Sequence, residues 1–337
     1  MSPKVTVLMP VYNGEKYLKE AVESILNQTY QDFEFLIIND GSTDKSVEII
    51  ESYDDPRIRL VHNDGNIKLI ASLNKGLGMA VGKYIARMDC DDISLPERLS
   101  KQVALMDSRP EIGVCGTWVK TFGDINGDIW KYPTDSDRIK CRLLFESVLA
   151  HPSVMMRSDL FKKHNLRYSY DYPHAEDFQL WQRASLIFPL VNMPEVLVLY
   201  RITVNSVSRF NKDAKLESLR RIDSEALSQL DIYANPSEIN LHRRLALFDF
   251  EHTRDFVEEV NNWLLKLLVA NRKIKRFPNH IFEQVLGERW YAVCYAAREL
   301  GMWTWRKFWG SELGKTTKLS WLQKINLLVK CRVRFAY

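Results

Sequence analysis

The sequence lacks the features that would make several functions easy to recognise. Its five cysteines, at positions 90, 115, 141, 294 and 331, are odd in number and form no C-x-x-C pair. That argues against a disulfide framework and a thiolate zinc site and fits a reducing cytoplasm. No apolar run approaches the roughly 20 residues of a membrane-spanning helix; Phe33 to Ile38 and Val196 to Tyr200 are typical of the longest. The opening Met-Ser-Pro-Lys leads directly into an apolar strand without the apolar core and cleavage site of a secretory signal, so no export is expected and any membrane contact would be peripheral. Glycine is sparse where nucleotide-binding loops need it. The loop after the first apolar run, Pro10-Val11-Tyr12-Asn13-Gly14, has one glycine, which argues against the G-x-G-x-x-G of a dinucleotide site, and G-x-x-x-x-G-K-[ST] is absent from the chain.

Acidic side chains are scarce at one end only. Residues 1–210 carry 25 basic and 28 acidic side chains, whereas residues 211–337 carry 22 and 15. From Leu264 to Tyr337 there are 15 basic and 4 acidic residues with five of the nine tryptophans, so an anionic partner is expected at this end.

What is present is a βαβ alternation. Val5–Met9, Phe33–Asn39, Ile58–His62 and Tyr84–Met88 read as buried strands. Between them Leu18, Val22, Ile25 and Leu26 repeat at helical spacing, Ser42 or Thr43 can cap a helix reaching Tyr53, and another helix runs through Leu73 and Leu77. Pro96 opens a helix continued by Leu99, Val103 and Met106. Further strands are expected at Gly113–Thr121, Ser153–Arg157 and Val196–Arg201, with helices near Ser136–Phe145 and Glu176–Ile187. Beyond about Asn211 the strand signals fade into helices with basic faces. The expectation is an α/β domain over 1–210, its nucleotide-binding half about 1–110 and its acceptor half about 111–210, followed by a helical, tryptophan-rich region over 211–337.

Two acidic features sit at strand ends. Asn39-Asp40-Gly41-Ser42-Thr43-Asp44 follows the second strand; Asp40 can accept a hydrogen bond from a nucleotide base while Tyr12 offers a ring for the base to lie against. An Asx turn with a helix cap would use the same residues, and a phosphoacceptor aspartate would leave the next feature unexplained. That feature is Asp89-Cys90-Asp91-Asp92, after Tyr84–Met88. Three carboxylates this close repel one another unless a hard cation compensates, and a divalent ion bridging to a diphosphate is the natural client; solvated acids ahead of a helix are the alternative. Glu176 and Asp177 open a helix in which Leu180, Trp181 and Ala184 place Asp177 on the apolar face and Glu176 at its edge. A desolvated Asp177 would gain basicity, although the helix N-terminus opposes this.

Taken together, Pro10-Val11-Tyr12-Asn13, Asn39 to Asp44, Leu73-Asn74-Lys75-Gly76-Leu77, Ala80 to Gly82 with Tyr84, the acidic loop with Pro96, and Glu176-Asp177 with Leu180-Trp181 resemble glycosyltransferase family 2 over roughly the first 210 residues. The resemblance implies a GT-A (nucleotide-diphospho-sugar transferase) fold, a mainly parallel sheet flanked by helices with a helical C-terminal extension, and inverting transfer from a UDP-sugar. Pro10, Tyr12, Asn13 and Asp40 would lie at the nucleotide, with Tyr12 and Asp40 at the uracil, Asp89 near the ribose and Lys68 facing the nucleotide. Asp91 would bind Mg²⁺ or Mn²⁺, Asp92 would shape the sugar and acceptor pocket, and Asp177, with support from Glu176, would act as general base. His151, His174 and Arg201 fall on the acceptor side, although histidines in such loops also serve structure. Thr203 stands where relatives carry a ligand histidine, so either Asp91 and the diphosphate suffice for the metal or Arg201 and Ser206 to Ser208 share the electrostatic task. A non-catalytic nucleotide-sugar or glycan-binding protein of the same fold is the alternative. A sugar nucleotidyltransferase would need a Gly- and Lys/Arg-rich loop after the first strand.

Acceptors expected are glycans or lipid-linked oligosaccharides of cell-surface assembly; nucleic acid is not, because no recognisable module accompanies the charge. In the tail, Met302, Trp305 and Trp309 fall near one helical face among cations. They suit an anionic membrane interface, or else packing on the catalytic domain or a second copy of the chain.

Overall fold

A computed structural model describes residues 2–124, 127–203 and 212–332. Strands are β1 (Val5–Val11), β2 (Phe33–Asn39), β3 (Ile58–His62), β4 (Tyr84–Arg87), β5 (Ile93–Ser94), β6 (Val114–Gly123), β7 (Ile129–Trp130), β8 (Met155–Arg157) and β9 (Leu190–Ile202). They form one sheet in the order β3-β2-β1-β4-β8-β6-β9-β5, with β7 beside β6. The β3-β2-β1-β4 half is parallel, as the βαβ alternation predicts. Beyond it the sheet is mixed: β8 runs antiparallel to both β4 and β6, and β6 is parallel to β9.

Helices α1 (Leu18–Leu26), α2 (Ser46–Glu51), α3 (Leu69–Met79) and α4 (Arg98–Ser108) connect the parallel strands and follow β5. Leu18, Val22, Ile25, Leu99, Val103 and Met106 join Val5, Val7, Phe35 and Ile37 in one apolar core, so the helical spacing found core positions. The expected cap at Ser42 or Thr43 is not made. Ser42 Oγ instead accepts from the Asn13 amide (3.1 Å), and α2 begins at Ser46. Two short strands went unforeseen, β5 and β7, because two residues carry no periodicity.

The contacts divide the chain into two units, Met1–Ile139 with Ser147–Ser218, and Lys140–Glu146 with Leu219–Tyr337. The break expected near 210 thus falls inside α8 (Lys212–Ser228), the helix after α5 (Ser136–Arg142), α6 (Ser158–Lys163) and α7 (Glu176–Ala184). Residues 140–146 go with the second unit because Cys141, Leu144 and Phe145 are part of its core.

The second unit is helical: α9 (Pro236–Leu247), α10 (Arg254–Ile274), α11 (Asn279–Ala296), α12 (Met302–Gly310), α13 (Glu312–Thr316) and α14 (Trp321–Arg332). Phe256, Trp263, Leu267, Phe282, Trp290 and Phe308 fill its centre. Several polar side chains are buried here with partners. Arg243 forks onto Asp223, and His242 lies between the Leu144 carbonyl (2.9 Å) and Trp263 Nε1 (3.2 Å). Met302, Trp305 and Trp309 pack against this core, with Trp305 edge-on to Trp309 at 5.6 Å; of the membrane interface and the packing role that the sequence left open, the structure shows packing, and within the helical unit itself. Among the described residues no helix is long and apolar enough to cross a membrane.

Gly82, just before β4, leaves no room for a side chain: a Cβ would sit 2.5 Å from the Thr6 nitrogen and 2.7 Å from the Val5 carbonyl carbon. Both are backbone atoms of β1 and cannot move aside. Gly82→Ala is expected to cost about 2 kcal/mol in urea unfolding, whereas Gly78→Ala, which meets nothing within 4 Å, is expected to be neutral or stabilising.

Candidate active site

Strand order reverses at β1: β2 and β3 lie on one side, β4 on the other. Ligands in open α/β sheets bind at such a switch point, outside the carboxyl ends of the strands. Val11 is paired with Asn39, and the Asp40 amide donates to the Val11 carbonyl at 2.8 Å, so Tyr12 and Asp40 emerge side by side. Pro10 is buried within β1, while Tyr12 beyond it is half exposed.

The loops here are tied to one another. Asn13, at φ 50°, accepts from the Thr43 amide through Oδ1 (2.8 Å); the Gly14 amide donates to Ser46 Oγ (2.8 Å) and the Glu15 amide to Asp44 (3.0 Å). Asp40 is buried, and its Oδ1 accepts from Asn63 Nδ2 (2.8 Å) and the Ile67 amide (2.9 Å). Asn63 is held in turn by Lys75 Nζ at 2.7 Å. Gly41 follows at φ +73°, where a Cβ would strike the Gly65 backbone at 2.7 Å. Asn13 and Asp40 are therefore framework residues of this corner, whatever they also present to a ligand. Lys68, at φ 74°, is exposed at the start of α3.

The second strand end carries the acids. Asp89, Asp91 and Asp92 each bring a carboxylate oxygen within 4.8 Å of the others. Cation spacing alone is a common accident of acidic loops, but Asp92 adds a sharper sign: it is buried, its Oδ1 accepts from the Arg201 amide (2.7 Å), and its Oδ2 has no hydrogen-bond partner. Such an orphaned buried oxygen fits a group that would hold a hard cation. Burial, then repulsion from Asp89, pushes the Asp91 carboxyl up to about 6. Burial and both neighbouring aspartates push Asp92 well above the usual carboxylate range.

One residue overlooked in the sequence holds this cluster together. Arg87 is buried at the end of β4 and ion-paired with Asp89. Burial works against its charge, and Asp89, reinforced by Asp92, keeps it protonated. Its field reaches Asp91, Glu176, Asp177, Tyr168 and His151. A charged residue inside the apolar run Tyr84–Met88 was the signal available for it. Beneath it the buried Arg98 donates to the Arg87 carbonyl at 2.7 Å.

β5 braces the acidic loop by pairing Ile93 with Leu199 of β9. From β9, Arg201 places its guanidinium between the rings of Tyr17 (4.1 Å) and Phe122 (4.2 Å), donating to the Asp91 carbonyl (2.7 Å) and to Glu20 (2.7 Å). These bonds give Arg201 a bracing role in the acidic loop. Thr203 lies just past β9, half-buried; Ser206 to Ser208 lie outside the described residues.

α7 supplies the remaining carboxylates. Glu176 is buried and Asp177 only partly so, the reverse of the helical-wheel expectation, because Phe178 and Gln179 are buried as well and α7 is enclosed on more than one face. Burial raises both, and the charge of Asp177 raises Glu176 further; Arg87 and Lys215 of α8 oppose the rise at Asp177. His151 is bonded through Nε2 to the Tyr168 hydroxyl (2.8 Å) and edge-on to Trp181, and burial pushes its pKa down, keeping it neutral. Tyr168 is pinned to α3 by a reciprocal pair with Asn74 (2.9 and 3.0 Å). His174, at φ 63°, is half-buried ahead of α7, with burial and Lys215 holding its pKa down. The structure thus gathers Asp89, Asp91, Asp92, Glu176 and Asp177 around Arg87, with Tyr12 and Asp40 at the adjoining strand ends.

Two expectations follow. Arg87→Met leaves these acids without their central cation and is expected to lower stability by about 3 kcal/mol in urea unfolding. Because the folded-state pKa of Asp91 lies near 6, above its ordinary value of 3.8, the folded protein binds more protons between those values, and stability falls as pH rises through that window. A divalent ion held by this cluster would compete with those protons. Mn²⁺ is therefore expected to raise the melting temperature more at about pH 7.5 than at about pH 5, and Asp91→Asn to raise the metal-free value while abolishing the Mn²⁺ increment, as read by scanning fluorimetry.

Comparison with known proteins bears on the family and the fold. The family model "Glycosyl transferase family 2" matches residues 6–164. An uncharacterized glycosyltransferase of Haemophilus influenzae is 37% identical over 238 residues, 67% of this chain and 74% of that protein. The O-antigen biosynthesis glycosyltransferase WbnJ of Escherichia coli is 34% identical over 218 residues, 61% and 82% of the two chains. Among solved structures, S. aureus TarS 1–349 in complex with UDP-GlcNAc superposes with a TM-score of 0.58 at 20% identity, covering 96% of this chain and 89% of that one. The fold is GT-A, and the chain belongs to glycosyltransferase family 2.

Proposed function

We propose that the chain transfers a hexose or N-acetylhexosamine from a UDP-sugar to a hydroxyl of a glycan or lipid-linked acceptor in cell-surface polysaccharide or glycolipid assembly, with inversion. The observation that carries this reading is the grouping of Asp89, Asp91, Asp92, Glu176 and Asp177 around the buried Arg87, beside the Tyr12–Asp40 corner. The O-antigen assignment of the Escherichia coli relative and the UDP-GlcNAc in the S. aureus protein support a surface glycan and a UDP-sugar respectively.

In this reading Tyr12 stacks on the uracil and Asp40 accepts from its N–H. Asp91, with Asp89 and Asp92 beside it, would hold Mg²⁺ or Mn²⁺, which supplies positive charge against the diphosphate. Asp177 takes the proton of the acceptor hydroxyl as its oxygen bonds to the anomeric carbon; the bond to UDP breaks on the opposite face. Partial accessibility lets an acceptor reach Asp177, and burial raises its basicity. Glu176, buried beside it, holds it in an acidic pair whose repulsion favours uptake of one proton. An α-linked donor gives a β-linked product.

The test is a donor screen read by released UDP against a panel of glycan and lipid-linked acceptors. Asp177→Asn is expected to lower kcat by about 10³-fold while UDP binding with Mn²⁺ is kept. Unaltered turnover in that variant would remove the base assignment; wild-type protein that binds UDP yet transfers to no acceptor would favour the binding-protein alternative.

A further inference from the structure

Helix α14 is apolar on two opposite sides. Leu327 and Cys331 are buried in the core of the second unit. Trp321, Leu322, Ile325 and Val329 stand 69, 61, 48 and 47% exposed. At about 100° per residue these four fall within a single arc of about 100°, facing away from Leu327 and Cys331. An isolated exposed leucine requires no explanation; a stripe of four large apolar side chains along one short helix marks a contact surface.

The charge around the stripe limits what it can contact. From Leu313 to Tyr337 the chain has six Lys or Arg residues and no Asp or Glu. Lys324 borders the stripe with its Nζ 5.7 Å from the centre of the Trp309 ring, Lys330 lies further round toward the buried side, and the half-buried Leu328 extends the apolar edge. A second copy of the chain meeting this face in a twofold pair would bring two acid-free, cationic helices together, which like-charge repulsion opposes. A surface that takes up apolar side chains while meeting lysines with negative charge has the chemistry of an anionic lipid headgroup layer.

We propose that α14 lies in the interface of an anionic membrane, with Trp321, Leu322, Ile325 and Val329 inserted and the positive charge of its acid-free stretch drawn to the headgroups. The four exposed residues are distinct from Met302, Trp305 and Trp309, whose side chains pack against the core. Vesicle binding is read without donor or acceptor, so its outcome is independent of the transfer assay.

The experiment is co-sedimentation of the full chain with vesicles of phosphatidylcholine alone, and of phosphatidylcholine and phosphatidylglycerol in equal parts. Binding to the anionic vesicles is expected, weakened at least tenfold by molar salt or by omitting phosphatidylglycerol, as an electrostatically assisted surface contact requires. Leu322→Ser with Ile325→Ser changes exposed residues only, so the melting temperature is expected to stay unchanged while vesicle affinity falls about tenfold. Lys324→Glu is expected to weaken binding to anionic vesicles and leave phosphatidylcholine binding as it was. Wild-type protein that ignores anionic vesicles overturns the proposal, as does a serine variant that binds them equally well. So does a dimer that the serine substitutions disperse while wild type binds no lipid.

Discussion

The candidate site depends on a single buried cation. Arg87 ends β4 at the switch point of the sheet, where five carboxylates from the loop after β4 and the start of α7 converge. Without compensation that density of negative charge would be expelled into water or neutralised by protons. The guanidinium holds Asp89 directly, and its field reaches the rest. Its position is set by strand pairing rather than by its own side chain: Leu8 is partnered with Arg87 across β1 and β4, and Arg98 secures the Arg87 carbonyl from below. The compensation is partial. Asp91 and Asp92 remain raised, and one oxygen of Asp92 is left without a partner, so the loop carries a strain that a bound cation would relieve.

Around that centre the loops are fixed to one another by side-chain-to-backbone bonds. Asn13 holds Thr43, Ser46 holds Gly14, Asp40 holds Ile67, and Asn74 holds Tyr168, which holds His151. Several residues that read as ligand-facing from their positions therefore build the walls of the site. Polar groups fixed in this way cost no ordering when a ligand arrives. β5 extends the same logic to the acidic loop, which Arg201 clamps through Asp91 and Asp92.

The helical unit solves a different problem with the same residue types. Its aromatic side chains mostly serve packing: Trp263, Trp290 and Phe308 are buried, and Trp305 and Trp309 lean on the core. Glu146 meets both Arg142 and Arg289, a local use of the arginine surplus. At α14 four large apolar side chains stay on the surface in one stripe, within a stretch that has lysines and no acid. Net charge counted along the chain found the region, whereas the face that matters was visible only once burial separated Leu327 and Cys331 from Leu322 and Ile325.

By itself the sequence determined the parallel half of the sheet and its helices, because buried strands and amphipathic helices write their periods of 2 and 3.6 into the order of residues. It also determined the two acidic strand ends, since a carboxylate directly after an apolar run emerges at the carboxyl edge of a sheet wherever that strand is placed. The tertiary structure alone decided how these pieces meet. Pairing between β5 and β9 joins residues more than a hundred positions apart, a two-residue strand has no period to read, and enclosure of α7 on several sides exchanged the burial of Glu176 and Asp177. Arg87 belongs to both: its oddity inside an apolar strand was legible, but a lone charge acquires its meaning from the carboxylates that long-range folding brings to it.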